Sequence, residues 1–232
     1  MIVDDATFTR QSLPALMPEL TFNGCFATAE QLVSSNVTAD LVILEVQRAD
    51  KCVDEVRQGL AGLRLAVAAG HRVCVYTQEA RTFIHAACLA AGAAGVVSRA
   101  DPLAVTQAAF LEVARGGRII TQGLINAFDL LPRRRQLTVL SPRQRTIVSA
   151  RARQLTFAAI AGKLEIPATV VLDEWRTASA ALSCFLQAAC LEVATGALGL
   201  VPDDLADIWP SPPLRCPTTA TRADRPVVSE QN

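Results

Sequence analysis

The feature that most constrains the fold is a regular alternation of short β-type apolar runs with helical patterns over the first 115 residues. The strand-like runs occupy residues 1–3, 22–27, 41–44, 73–76 and 95–97. The helical patterns occupy residues 7–17, 28–34, 51–69, 80–91 and 102–115. A run such as Leu-Val-Ile-Leu at 41–44, apolar without alternation, is typical of a parallel strand covered on both faces. Five strand–helix repeats predict an α/β fold with a doubly wound, five-stranded parallel sheet.

The second half of the chain has a different pattern. Ser141-Pro142, Thr156 and Pro167 each mark the start of a short helix, and turns of only a few residues separate these helices. Such spacing predicts a small all-α domain of the helix-turn-helix kind. We therefore divide the chain into a domain at 1–120, a linker at 121–136, a helix-turn-helix domain at 137–200 and a polar tail at 201–232. We expect that tail to be disordered.

Composition narrows the class of protein further. No apolar run reaches the roughly 18 residues that a membrane-spanning helix needs. The seven cysteines form no Cys-x-x-Cys pair, and the chain has only two histidines, so a structural zinc site is not expected. Scattered thiols of this kind predict a reduced, cytoplasmic protein. Residues 133–182 carry nine basic and three acidic side chains, a net charge of +6, which favours a nucleic-acid partner for this block.

Polar residues follow the predicted strands at the points where those strands end. Asp4 and Asp5 follow the first strand, Glu45 the third, Thr77 the fourth and Arg99 the fifth. The carboxyl ends of parallel strands meet at one edge of a sheet, where open α/β folds place their chemistry. Together with the segment Ala-Gly-Ala-Ala-Gly-Val-Val-Ser-Arg at 91–99, this set resembles the receiver domain of bacterial response regulators, a flavodoxin-like fold.

The resemblance implies a role for each of these residues. Asp4 and Asp5 match the acidic pair that holds Mg²⁺, and Thr77 matches the switch hydroxyl. Two positions depart from the family pattern: Glu45 stands at the phosphate-accepting aspartate and Arg99 at the lysine. Glutamate moves the accepting oxygen by about 1.5 Å, and arginine replaces a point charge with a planar fork. Ordinary aspartyl phosphorylation is therefore not expected, nor is any cofactor beyond Mg²⁺ at Asp4 and Asp5.

Three interpretations of Glu45 remain open. It could be a slow phosphoacceptor, or a built-in mimic that reaches toward Thr77 and Arg99 as a phosphoryl group would. It could also be the remnant of an acceptor in a receiver that only dimerises or binds a partner. A carboxylate supplies one negative charge, against about 1.5 to 2 for a phosphoryl group. The departures at Glu45 and Arg99 favour the remnant.

Residues 137–182 resemble the LuxR-type, or GerE-type, helix-turn-helix. The resemblance rests on Leu-Ser-Pro-Arg-Gln-Arg at 140–145, Leu155-Thr156, Ile160-Ala161 and Leu164. A receiver followed by this module is the organisation of NarL/FixJ-type response regulators. It implies binding to double-stranded DNA as a homodimer, with a recognition helix at about 168–181 in the major groove. The candidate DNA-binding residues are Arg143, Arg145, Arg151, Arg153, Lys163, Thr169, Arg176 and Thr177.

The sequence thus predicts an atypical response regulator, a DNA-binding transcription regulator that works without ordinary phosphorylation and is not an enzyme. A histidine kinase or another regulator is a further candidate partner, and no membrane association is expected. The alternative is a degenerate regulator that acts as a protein-interaction module without binding DNA. Asp173 and Glu174, which would repel phosphates from the recognition helix, favour this alternative. The arginines of the basic block could also form only a solvated face.

Overall fold

The computed structural model describes residues 1–46, 53–130 and 139–210, and its first unit is built on a five-stranded parallel sheet. The strands are β1 (Ile2–Val3), β2 (Cys25–Phe26), β3 (Val42–Leu44), β4 (Val73–Thr77) and β5 (Gly95–Ser98). Their order in the sheet is β2-β1-β3-β4-β5, and every pair is parallel. The predicted doubly wound, receiver-type fold is therefore confirmed.

Alternate residues of the strands point into two separate cores, as a sheet covered on both faces requires. Val42 and Leu44 face the larger core, whereas Ile43 faces the smaller one. The smaller core also contains Phe110 and Met17, both fully buried. Helices therefore cover the sheet on both sides, and its polar groups emerge only at the strand ends.

Ten α-helices lie within the described residues. They are α1 (Thr7–Leu16), α2 (Ala29–Ser34), α3 (Val53–Ala68), α4 (Thr82–Ala90), α5 (Leu103–Ala114), α6 (Gln122–Leu130), α7 (Pro142–Ala152), α8 (Phe157–Leu164), α9 (Ala168–Ala188) and α10 (Leu191–Gly196). N-terminal caps form at α2, where the Thr28 hydroxyl accepts a hydrogen bond from Gln31 N, and at the predicted start of α7, where Ser141 and Gln144 make a capping box. None of the described helices is long and apolar enough to cross a membrane.

Two segments differ from the sequence-based prediction. Residues 122–130, within the predicted linker 121–136, form α6, because Leu124, Ile125 and Phe128 lie on one face of it and are buried. Residues 203–208, within the predicted disordered tail, form a 3₁₀ helix, and Trp209 is 7% exposed. Residues 51–52 of the predicted third helix, 131–138 and 211–232 lie outside the described part of the chain.

Helix α4 joins the two units. Eight of its nine residues are buried, because one side packs on the sheet and α9 and α6 cover the rest. Gly123 of α6 lies so close to α4 that a Cβ atom there would come within 2.6 Å of Thr82 Oγ1. The larger core consequently runs from the sheet through Ile84 and Leu89 into Leu182 and Leu186 of α9.

The segment after α10 returns to the first unit. Trp209 Nε1 donates a hydrogen bond to Ala189 O at 2.9 Å, and its ring lies 5.5 Å from the ring of Phe83 in α4. Arg57 of α3 contacts both carboxylate oxygens of Asp207, at 2.7 and 3.0 Å. The C-terminal segment therefore ties the helix-turn-helix unit to α3 and α4.

This packing predicts that Trp209 stabilises the whole chain. Trp209→Ala removes a buried indole shared by both units and should lower the free energy of unfolding by about 3–5 kcal/mol. Urea denaturation followed by circular dichroism measures this loss. Val201→Ala is the matched control, because Val201 is 68% exposed and should change stability by less than about 0.5 kcal/mol. A Trp209→Ala protein as stable as the control would contradict the packing role.

Candidate functional site

The carboxyl ends of the central strands bring the predicted rim residues together. Val3 of β1 pairs with Leu44 of β3, so the next residues, Asp4 and Glu45, lie side by side. Thr77 ends β4 opposite Ser98 of β5, which places Arg99 beside them. Asp5 is exposed at the same edge.

Arg99 bridges the two buried carboxylates of the rim. Its Nη2 forms an ion pair with Glu45 Oε2 at 2.7 Å and another with Asp4 Oδ2. The side chains of Asp4 and Glu45 are only 3% and 6% exposed, and that of Arg99 is 17% exposed. One guanidinium thus compensates two carboxylates in a site with little water, where unpaired charges would be costly.

Further contacts hold Arg99 in this position. Its Nε donates to Tyr76 O at 3.3 Å, and its Nη1 donates to Thr9 Oγ1 at 3.4 Å. The guanidinium also lies 5.2 Å from the centre of the Tyr76 ring, within reach of a cation–π interaction. The arginine therefore links β1, β3, β4 and α1 through a single side chain.

The rim does not fit the Mg²⁺ ion that the resemblance implies. Arg99 takes one oxygen of each buried carboxylate, and backbone N–H groups take the other: Ala6 N donates to Asp4 Oδ1 and Val46 N to Glu45 Oε1, each at 2.8 Å. Magnesium requires near-octahedral oxygen ligands. Among the residues that the structure describes, no group of three His, Cys, Asp or Glu side chains could hold a metal ion.

The hydroxyl of Thr77 is bonded within the loop that follows β4. It is fully buried and accepts a hydrogen bond from Glu79 N at 3.1 Å, in the loop between β4 and α4. Within the described residues, no hydrogen bond joins Thr77 to Glu45. Of the two contacts expected of a phosphoryl mimic, Glu45 makes the one to Arg99 only.

His85 connects the loop at Thr77 to α6, a link that the sequence analysis missed. Its Nε2 lies 2.7 Å from Glu79 O and its Nδ1 lies 3.3 Å from Thr121 Oγ1. Burial lowers the pKa of His85, so we assign a neutral ring whose Nε2–H donates to the carbonyl. The available signal was a polar ring in the otherwise apolar run Phe-Ile-His-Ala-Ala-Cys-Leu at 83–89.

The second candidate site is the helix-turn-helix surface. Helices α7, α8 and α9 pack around Ile147, Ile160 and Val171. Helix α8 ends at Glu165, which adopts the left-handed backbone conformation with φ 54°, and α9 begins three residues later at Ala168. The connection between α8 and α9 is thus as short as the predicted helix-turn-helix arrangement requires.

The predicted DNA-binding residues are in different environments. Arg153, Lys163 and Thr169 are exposed, and Arg145 is half-buried and donates to Leu140 O at 3.1 Å. Arg143 is exposed and lies 3.6 Å from Glu174. Arg151 is half-buried against the rings of Phe157 and Trp175. The Thr177 hydroxyl, also exposed, donates to Asp173 O at 2.9 Å.

Arg176 of α9, the predicted recognition helix, is bound to the receiver-type unit. Its Nε and Nη2 donate to the two carboxylate oxygens of Glu112 in α5, at 2.7 and 2.8 Å. The Arg176 guanidinium holds the pKa of Glu112 below its ordinary value. Sequence reasoning missed Glu112, because it lies 64 residues from Arg176 and only the docking of the two units brings them together.

Solved structures of response regulators resemble this fold. RcsB of Salmonella typhimurium is 16% identical with a TM-score of 0.46, over 80% of this chain and 94% of that one. The response regulator ChrA of a heme-sensing two-component system is 22% identical with a TM-score of 0.41, over 75% and 84%. A LuxR-family response regulator from Aurantimonas sp. SI85-9A1 is 20% identical with a TM-score of 0.45, over 52% and 86%. No protein-family model and no curated protein matches the sequence.

The rim predicts a specific response to loss of Arg99. Arg99→Gln removes the cation that Asp4 and Glu45 share, and should destabilise the fold by about 3–5 kcal/mol. A divalent cation can then replace the guanidinium, so millimolar Mg²⁺ should raise the Tm of the variant but not that of the wild type. Differential scanning calorimetry measures both effects. Arg153→Gln, an exposed control, should behave like the wild type, and a Mg²⁺-dependent Tm in the wild type would refute this account.

Proposed function

We propose that the protein is a DNA-binding transcription regulator of the response-regulator type whose receiver unit works without aspartyl phosphorylation. The observation that carries this proposal is the joining, in one chain, of a receiver-type sheet to a helix-turn-helix unit through a common core. Regulators of this organisation use the first unit to control the second. As a class they are not enzymes, and we propose the same for this protein.

The proposed DNA surface combines the start of α9 with nearby exposed cations. Thr169 lies on the first turn of α9, and Lys163 and Arg153 flank it on α8 and after α7. Asp173, whose side chain is 75% exposed, adds a like charge that opposes the phosphates. We therefore expect affinity to come mainly from phosphate contacts, with a steep dependence on salt and modest sequence selectivity.

The arrangement described here is proposed to be the form with low DNA affinity. While Nε and Nη2 of Arg176 donate to Glu112, its charge is compensated and its attraction for a DNA phosphate is reduced. In an undocked form, in which Arg176 no longer contacts Glu112, α9 is released. A partner or DNA itself can shift the population toward this form by binding it more tightly than the docked form. Leu103 and Val105 of α5 are 40% and 55% exposed, and they supply apolar surface for the proposed homodimer.

Independence from phosphorylation is supported by the state of Glu45. Its two oxygens are engaged by Arg99 and by Val46 N, and the ion pair with Arg99 reduces the nucleophilicity of the carboxylate toward a phosphodonor. Phosphoryl transfer also depends on placement and on a metal ion that bridges the reacting oxygens, and the rim offers no fitting metal site among the described residues.

Intact-mass spectrometry tests this part of the proposal. Wild-type protein incubated with acetyl phosphate and Mg²⁺ should show no stable phosphoryl adduct, because the acceptor and the lysine are both replaced. The double variant Glu45→Asp with Arg99→Lys restores both groups and serves as the positive control. A stoichiometric adduct on Glu45 of the wild type would rule out phosphorylation independence.

DNA binding is tested by releasing the recognition helix. Glu112→Gln removes the partner of Arg176 and should tighten binding to genomic DNA about two- to fivefold, the range expected for an exposed ion pair. Fluorescence anisotropy across a salt series gives the affinity and the salt slope. Glu19→Gln makes the same charge change at an exposed site and should leave the affinity close to that of the wild type. Equal affinities for both variants would refute control through this contact.

The second candidate function is a protein-interaction module that does not bind DNA. It is favoured by the pairing of Arg143 with Glu174 and of Arg176 with Glu112 and Asp173, which neutralises cations of the DNA-facing surface. Phe8 of α1, 80% exposed beside the rim, offers apolar surface to a kinase or another regulator. DNA binding by the double variant Asp173→Asn with Glu174→Gln distinguishes the two candidate functions. If neither it nor Glu112→Gln binds DNA at low salt, the interaction module is correct.

A further inference from the structure

A cavity of about 550 Å³ lies between the receiver-type unit and the helix-turn-helix unit. Val96, Val105 and Ile119 line it from the first unit, and Arg151, Phe157 and Trp175 line it from the second. Its volume falls within the usual range for small-molecule sites, which often lie between domains. It is separate from the rim and from the exposed face of α9.

Two half-buried arginines on the wall of this cavity have no acidic partner within the described residues. Arg118 donates through Nη1 to Ala93 O at 3.2 Å, and Arg151 donates through Nη1 to Leu155 O at 2.6 Å. The Nε of Arg151 is buried without a hydrogen-bond partner. Other arginines of the same chain, such as Arg99 and Arg176, are paired with carboxylates. Arg118 and Arg151 therefore present donors and positive charge that no carboxylate of the described residues compensates.

Burial makes this arrangement costly in the absence of an anion. It lowers the pKa of both Arg118 and Arg151, because desolvation disfavours the charged form. A bound carboxylate would offset that cost through charge-assisted hydrogen bonds to a guanidinium. Asp101, also on the wall, is exposed, so its charge is screened by solvent.

The other residues of the cavity wall suit a planar apolar group. Phe157 and Trp175 stand with their ring centres 6.0 Å apart, and the Arg151 guanidinium lies 4.7 Å from the Phe157 ring. Aliphatic side chains of the sheet edge and α5 face them across the cavity. Aromatic rings bind planar groups by stacked or edge-on contact. His85, the remaining titratable group on the wall, is held between Glu79 O and Thr121.

We propose that this cavity is a binding site for a small aromatic carboxylate. Its carboxylate accepts hydrogen bonds from Arg118 and Arg151, and its ring packs on Phe157 and Trp175. Such a ligand contacts both units, so it stabilises the docked arrangement. That last consequence rests on the proposed function, whereas the binding itself does not.

Isothermal titration calorimetry of the full chain with 2-naphthoate tests the site. The wild type should bind one equivalent, and the neutral isostere 2-naphthamide should bind about tenfold more weakly or worse, because it lacks the charge that the arginines recognise. Arg118→Gln and Arg151→Gln should each weaken 2-naphthoate binding by about tenfold. Arg115→Gln is the matched control, since Arg115 is exposed and outside the cavity wall, and it should bind as the wild type does.

The proposal is overturned if 2-naphthoate gives no binding heat up to its solubility limit, if acid and amide bind equally, or if both cavity variants retain wild-type affinity. Near-UV circular dichroism checks that the variants are folded. If Arg151→Gln is not folded, the affinities of 2-naphthoate and 2-naphthamide for the wild type and for Arg118→Gln still test the proposal. Because no DNA is present, a failure here is distinct from a failure of the proposed DNA binding.

Discussion

The placement of one guanidinium between two buried carboxylates organises the sheet edge of this protein. Arg99 compensates Asp4 and Glu45 where water is largely excluded, and removing one partner of such a group costs far more than the group contributes on its own. The same contact ties the ends of β1 and β3 to the residue after β5. A cation supplied by the chain thus stands where a receiver of ordinary sequence would need a metal ion and a lysine.

The two units also depend on each other for the burial of their apolar surface. Helix α4 shows why: eight of its nine residues are buried, partly by α9, so the helix-turn-helix unit cannot leave without exposing apolar surface to water. The Arg176–Glu112 pair adds a polar contact at the edge of that interface. An exposed pair contributes little to stability. It nevertheless determines whether the Arg176 guanidinium on α9 is an available hydrogen-bond donor or a charge already neutralised by Glu112.

Local patterns were sufficient to predict the sheet and the rim, because uninterrupted apolar runs and strand-end polar residues report directly on parallel strands. They were insufficient for α6 and for the segment around Trp209. The apolar spacing of Leu124, Ile125 and Phe128 was visible, but the following Pro-Arg-Arg-Arg suggested a linker. Trp209 packs on Phe83, 126 residues earlier in the chain, and no local pattern reports a contact of that separation. The Glu112–Arg176 and Arg151–Trp175 contacts depend on the docking of the two units in the same way.

The geometry around Glu45 bears on whether that residue is a mimic or a remnant. A phosphoryl mimic at this position would contact both Arg99 and Thr77. Glu45 reaches Arg99, but Thr77 accepts its hydrogen bond from Glu79 N, and His85 holds the same loop through Glu79 O. Glu45 therefore makes the contact to the cation at the strand ends and not the one to the Thr77 hydroxyl. We infer that Glu45 acts as a structural counter-ion to Arg99, which is the remnant interpretation given a physical role.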